Sequence, residues 1–247
     1  MKKLFVLLFV LFLGTALNAQ EIKEKKIFEG LQNQPSSLYD FKYDFKSGSY
    51  VYSPFDTVTM KSRMISNKGN SDAYSNIYSN DAIFDKNGNY YAIAFNTIND
   101  TTNTYFFVKN GKALKQYNVI TYPLTVSNDA VYFLANDGGN DFRVKYSIYS
   151  DNFEFGSKYD TIYLSSMNSQ YGEGEPNYSF GITRNGEDYY IACKNGKQML
   201  VIGNTEMKAY DEIVYRFTQE DSLGNIYYIG KNIVNGKNQY CLVKGDK

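Results

Sequence analysis

The sequence predicts an all-β chain, organised as a β-propeller of five four-stranded blades closed by an N-terminal strand. Three observations predict it. Tyr and Phe, which favour strands, number 25 and 17 among 247 residues, with no Trp. Asn, Gly, Ser and Asp fill the gaps between short apolar runs and supply turns. Three short phrases recur along the chain, and no stretch beyond the first residues keeps the i, i+3, i+4 apolar spacing of a capped helix.

The N-terminus stands apart. Lys2 and Lys3 precede the apolar block Leu4 to Leu13, and small or polar residues follow to Ala19. That block is about half the length a helix needs to cross a bilayer. It reads as a cleaved signal peptide covering residues 1–19. Residues 20–247 are then a single propeller domain, placed in the periplasm or secreted, with no membrane span after cleavage.

The first phrase is a tight turn followed by paired tyrosines. It stands at 85–93 (D-K-N-G-N-Y-Y-A-I), at 184–192 (R-N-G-E-D-Y-Y-I-A) and at 220–230 (E-D-S-L-G-N-I-Y-Y-I-G). Turn centres at Gly48, Gly88, Asn128, Gly186 and Gly224 are separated by 40, 40, 58 and 38 residues. Gly accepts positive φ, and Asp or Asn bonds the backbone of its own turn. The tyrosines alternate across a sheet, so one packs between blades while the other uses its hydroxyl. A calcium loop beginning at Asp85 fails on register: Tyr90 takes the glycine position and Asn96 the bidentate glutamate position.

The second phrase is Tyr, a polar residue, one further residue and an apolar one: Y-S-N-I at 74, Y-N-V-I at 117, Y-D-T-I at 159 and Y-D-E-I at 210. Y-D-F-K at 39 is a looser copy. The third is an apolar strand ending in a glycine turn, at 64, 107, 200 and 242. A unit of about 40 residues with four short strands is the period of a propeller blade. The second phrase reads as the fourth strand of each unit. It is missing after Leu242, and its loose copy opens the first unit. Tyr39–Lys42 is therefore expected to pair with Gln239–Lys244.

This order of strands and turns resembles the WD-like repeats of bacterial TolB-type propellers, and is similar to the D-x-x-G-N-x-Y repeats of other secreted bacterial propellers. The resemblance covers about residues 38–247. It implies a periplasmic or surface platform for protein contacts.

Composition narrows the chemistry. Histidine is absent, which removes Ser-His and Cys-His nucleophile activation and His-ligated metals. Acids and bases are equal at 26 each, with no concentrated basic face for nucleic acid. No cofactor or metal motif stands out. Cys193 and Cys241 are the only cysteines, and the sequence leaves their pairing open.

One interval exceeds the period, and much of its excess is 165–178, S-S-M-N-S-Q-Y-G-E-G-E-P-N-Y. It is expected as a loop where an outer strand returns to the next inner one. It carries Tyr171, Glu173, Glu175 and Tyr178, candidate partner-binding residues. A second polar loop, Thr97–Asn103, holds the sequon Asn99-Asp100-Thr101 and reads as a hairpin tip. The function expected is a non-catalytic binding module mediating protein–protein contacts. The alternative is a carbohydrate-active or carbohydrate-binding propeller, with Asp81, Asp129 and Glu212 as carboxylates near strand ends. No feature of the sequence selects a pair among those acids.

Overall fold

The structure is a computed structural model that describes residues 41–78, 81–100, 102–127, 129–163, 180–214 and 218–245. Every extended element in them belongs to an antiparallel sheet, and the chain is all-β. Six sheets follow in chain order. Sheet I joins Lys42–Asp44, Ser49–Tyr52 and Ile65–Ser66. Sheet II joins Phe55–Asp56, Lys61–Arg63 and Ala73–Tyr74. Sheet III runs from the split edge Asn76–Ile77 and Ile83–Phe84 through Tyr90–Asn99 and Thr102–Lys109 to Lys112–Tyr117. Sheet IV is Val119–Ser127, Ala130–Asp137, Asn140–Ser147 and Phe153–Phe155. Sheet V has the split edge Thr161–Tyr163 and Phe180–Ile182, then Asp188–Lys194, Lys197–Ile202 and Thr205–Glu206. Sheet VI has Glu212–Ile213 and Gln219–Glu220 on one side of Ile226–Val234, with Lys237–Gly245 on the other.

The second phrase is not a fourth strand. It is the crossover from one sheet to the next. Its tyrosine pairs backward: Tyr74 with Ser62, Tyr117 with Tyr105, Tyr159 with Asp141 and Tyr210 with Gln198. Its apolar residue pairs forward: Ile77 with Ala94, Ile120 with Ala135, Ile162 with Ala192 and Ile213 with Gly230. The polar residue between them pins the join. Ser75 Oγ accepts from the Thr97 amide at 3.0 Å. Asp160 and Asp211 accept from the amides of Asn195 and Ile233, each at 2.7 Å. All four isoleucines are buried. Three adjacent residues thus satisfy two sheets and a hairpin, so the phrase recurs.

The turn of the first phrase forms as expected. Asp85 Oδ1 accepts from the amides of Asn87 and Asn89, and its Oδ2 from Asn89 Nδ2 and the Tyr91 hydroxyl at 3.0 Å. Asp221 repeats the arrangement with Leu223 and Asn225. These carboxylates serve their own turns. Asn110-Gly111, Asn195-Gly196 and Asn235-Gly236 carry positive φ at both residues, the two-residue hairpin geometry that glycine makes accessible. Asn128 lies outside the described residues. Of the paired tyrosines, Tyr90 and Tyr91 are both fully buried on opposite faces. The Tyr90 hydroxyl donates to the Gly69 carbonyl.

That alternation repeats through the molecule. One cluster joins Val51, Met64 and Tyr74 to Tyr90, Ala92 and Ala94 of sheet III. Another joins Tyr91, Ile93 and Phe107 of sheet III to Val131, Phe133 and Val144 of sheet IV. A third joins Tyr132 and Leu134 to Tyr190 and Val201 of sheet V. A fourth joins Ile191, Leu200 and Ile202 to Ile213, Ile226 and Tyr228 of sheet VI. Each inner sheet is covered on both faces, the usual way to remove the apolar area of a strand from water. Cys193 and Cys241 are free thiols. The signal peptide falls on residues outside those described.

Candidate functional site

A cleft of about 470 Å³ opens on the described surface where sheets III and IV meet. Its wall from sheet III is the end of Lys112–Tyr117 with the crossover residue Asn118. Its wall from sheet IV is Asp137, Phe142, Phe155, Gly156 and Lys158. The volume suits a small organic molecule.

Aromatic rings and cations share this cleft. Lys115 Nζ stands 4.2 Å from the Phe155 ring centre and 5.5 Å from that of Phe153. Lys158 Nζ stands 5.7 Å from the Phe142 ring centre. Phe142 meets Phe155 edge to face at 6.0 Å. Such cation–ring contacts contribute roughly 0.5–1 kcal/mol at exposed sites. Lys158 lies 3.8 Å from Asp137 Oδ2, while Asp137 Oδ1 accepts from Asn118 Nδ2 at 3.1 Å. Among the described residues Lys115 forms no ion pair. The Tyr117 hydroxyl, on the same wall, is buried without a hydrogen-bond partner among them. Burial raises its pKa above the ordinary phenol value, so it stays protonated.

Asp81, Asp129 and Glu212, the acids singled out in sequence, do not line this cleft. Tyr171, Glu173, Glu175 and Tyr178 lie outside the described residues. Their segment is bounded by Thr161–Tyr163 and Phe180–Ile182, which both pair with Asp188–Lys194. Sheets III and VI break their edges at the corresponding place, after Ile77 and Ile213. Of the three acids, Asp129 is held by Lys86 at 2.9 Å and Glu212 by Lys231 at 2.7 Å. Asp81 lies between Asn76–Ile77 and Ile83–Phe84, where its amide donates to the Tyr78 carbonyl at 3.3 Å. Thr97–Asn103 is a hairpin tip, with Thr101 outside the described residues.

Sequence reading missed Lys115, Phe155 and Lys158 because their pairing crosses a sheet boundary. The local signal was Tyr117-Asn118, the one crossover with an amide as its polar residue. No cluster of three His, Cys, Asp or Glu among the described residues is placed to hold a metal, and no described helix is long and apolar enough to cross a membrane.

No family model matches the chain, and no curated protein matches it. Similar solved structures include an acylaminoacyl peptidase in complex with Z-Gly-Gly-Phe-chloromethyl ketone, at 10% identity and a TM-score of 0.34, covering 81% of this chain and 44% of that one. A luciferin-regenerating enzyme matches at 10% identity and a TM-score of 0.32, covering 77% and 68%. An acylaminoacyl peptidase of Pyrococcus horikoshii matches at 8% identity and a TM-score of 0.23, covering 81% and 51%. The chain spans about half the length of the two peptidases. These likenesses are too low to carry an activity to this chain. They do correct the expectations above. None is a TolB-type protein or is named as a propeller, so the resemblance to TolB-type repeats is withdrawn. Those named by activity are enzymes, against the expected non-catalytic module for protein contacts and its carbohydrate alternative. Nothing in them supports a signal peptide or secretion.

Proposed function

We propose that the chain takes a small organic anion with a flat apolar body in the cleft between sheets III and IV. The observation that carries this reading is Lys115: a cation laid over the Phe155 ring with no carboxylate to neutralise it among the described residues. Lys158 adds a second positive charge to the same cleft, offset in part by Asp137. An anionic group between the lysines gains charge-assisted hydrogen bonds, and a planar body gains stacking on exposed ring area. A cationic ligand meets repulsion at both heads. We also propose that the successive sheets are blades arranged about one axis. Four apolar interfaces in series support that arrangement, each sheet covering the next.

The test is binding of benzoate, benzamide and benzylamine to the chain, followed by saturation-transfer NMR. Benzoate is expected to bind, with benzamide about tenfold weaker and benzylamine weaker still, since each 1.4 kcal/mol is tenfold. Lys115→Met is expected to level benzoate with benzamide. Equal binding of all three by the unaltered chain, or benzoate binding untouched by Lys115→Met, overturns the reading.

A further inference from the structure

We infer that the Tyr117 hydroxyl is the specificity-determining donor of the cleft between sheets III and IV, and that the ligand there is an aromatic acid with a carbonyl oxygen set apart from its carboxylate. The inference rests on the ligand reading above and narrows its chemical class.

The four crossover tyrosines share one place in the repeat but not one environment. The rings of Tyr74, Tyr117, Tyr159 and Tyr210 are all buried. Of the four, Tyr117 is the one whose hydroxyl is buried with no hydrogen bond among the described residues. It is also the one that lines the cleft. The residue after it departs from the pattern as well. Ser75, Asp160 and Asp211 each accept from a hairpin amide. Asn118 instead donates its side-chain amide to Asp137. This crossover therefore differs from the other three at two adjacent residues, and both line the cleft.

Packing accounts for the Tyr117 ring and leaves its oxygen over. The ring meets Phe133 edge to face at 5.6 Å and Phe142 at 6.4 Å. Phenylalanine would make the same contacts. A buried hydroxyl without a partner bears the desolvation cost of its proton with no bond in return. A molecule bound in the adjoining cleft can supply that bond.

The surroundings select the partner atom. Burial keeps the hydroxyl protonated, so it has a hydrogen to give and is completed by an acceptor. Lys115 Nζ stands 6.0 Å from the Tyr117 ring centre and 4.2 Å from that of Phe155. The charge that attracts a carboxylate thus also favours an electron-rich second atom and disfavours an N–H. A carbonyl oxygen enters buried surroundings at lower desolvation cost than a second carboxylate. Phe142 and Phe155, which meet edge to face on the cleft wall, suit a flat body joining the two groups.

The test compares acetylbenzoate with isopropenylbenzoate, each as its 3- and 4-isomer, by titration followed with saturation-transfer NMR. The two substituents are alike in shape and differ in one acceptor oxygen. In the unaltered chain at least one acetyl isomer is expected to bind about tenfold more tightly than its isopropenyl counterpart. In Tyr117→Phe that ratio is expected to fall to about one. Without ligand, the same variant is expected to keep or raise its urea midpoint, since it discards an oxygen that had no partner. Benzoate titrated in parallel distinguishes this inference from the reading beneath it. Benzoate binding with no acetyl preference, an acetyl preference that survives Tyr117→Phe, or a lowered midpoint for Tyr117→Phe in the free chain overturns the inference and leaves the anion reading standing. Benzoate that does not bind overturns both.

Discussion

The two faces of sheet IV are held by different physics. Toward sheet III the strand Ala130–Asp137 presents Val131, Phe133 and Ala135, and Asn140–Ser147 presents Phe142, Val144 and Tyr146. Phe133 stacks on Phe107 at 4.8 Å, and Tyr117 meets Phe133 edge to face at 5.6 Å. Toward sheet V the same strands present Tyr132, Leu134 and Arg143. Arg143 is 1% exposed. Its Nε stands 3.1 Å from Asp188 Oδ2, an ion pair without hydrogen-bond alignment, while Nη2 reaches Glu154 at 3.1 Å and also Asn204. Large rings do not tile to the rim of an interface, and the cleft opens there on the sheet III side. A guanidinium with carboxylates around it instead pins one sheet to the next in a fixed geometry. The aromatic face carries area, and the ionic face carries alignment.

The largest expected effect breaks the aromatic face. Phe133→Ala removes a fully buried ring touched by Phe107 and Tyr117. It should destabilise the chain by about 3–5 kcal/mol in urea unfolding, transfer and cavity costs together. A loss below about 1 kcal/mol means that sheets III and IV do not share this core.

The ionic face should break almost as hard, but recover. Arg143→Leu leaves Asp188 buried without its partner, at a cost of about 3–5 kcal/mol. Adding Asp188→Leu removes the stranded charge, and the double variant should regain most of that loss. No rescue on the aromatic face has this form, because removing a second ring from the cluster only enlarges the void. If the double variant is as unstable as the sum of the two single ones, the pair is not coupled across sheets IV and V.

These differences bear on what the sequence made legible. Strand content, the glycine turns and the repeat period all depend on neighbours in the chain. Asp85, Gly88 and the tyrosines that follow could therefore be assigned from their own phrase. The crossover phrase was seen and misplaced: Tyr159 to Ile162 alternates like one strand, and nothing local marks the switch of sheet at Asp160. Its polar residue bonds a hairpin that lies 22 to 35 residues further on. Neither working contact follows the period. Lys115 meets Phe155, and Arg143 meets Asp188, across two different sheet boundaries. Sequence patterning sets which face of a strand is buried; it does not set which side chains from the next sheet arrive there.

The smallest expected effect separates the two faces by pH. Burial acts to raise the Glu154 pKa, but the Arg143 charge and hydrogen bonds outweigh it, and the net shift is downward. A lowered folded value means that the Glu154 contribution is present above its ordinary range and is lost as pH falls through the folded value. Asp188 moves the other way, since its burial outweighs the opposing Arg143 charge. Its contribution is full below its ordinary value of 3.8 and is lost as pH rises through the raised one. Glu154 is about half exposed, so solvent screens its share and the slope should be shallow. Urea midpoints measured from pH 3 to pH 7 should therefore change shape in opposite senses for Glu154→Gln and Asp188→Asn. Phe133→Ala should shift the whole curve down without changing its shape. An unchanged profile for both carboxylate variants would mean that neither charge is held at the interface of sheets IV and V, and alignment there would have to come from Tyr132, Leu134 and their apolar neighbours.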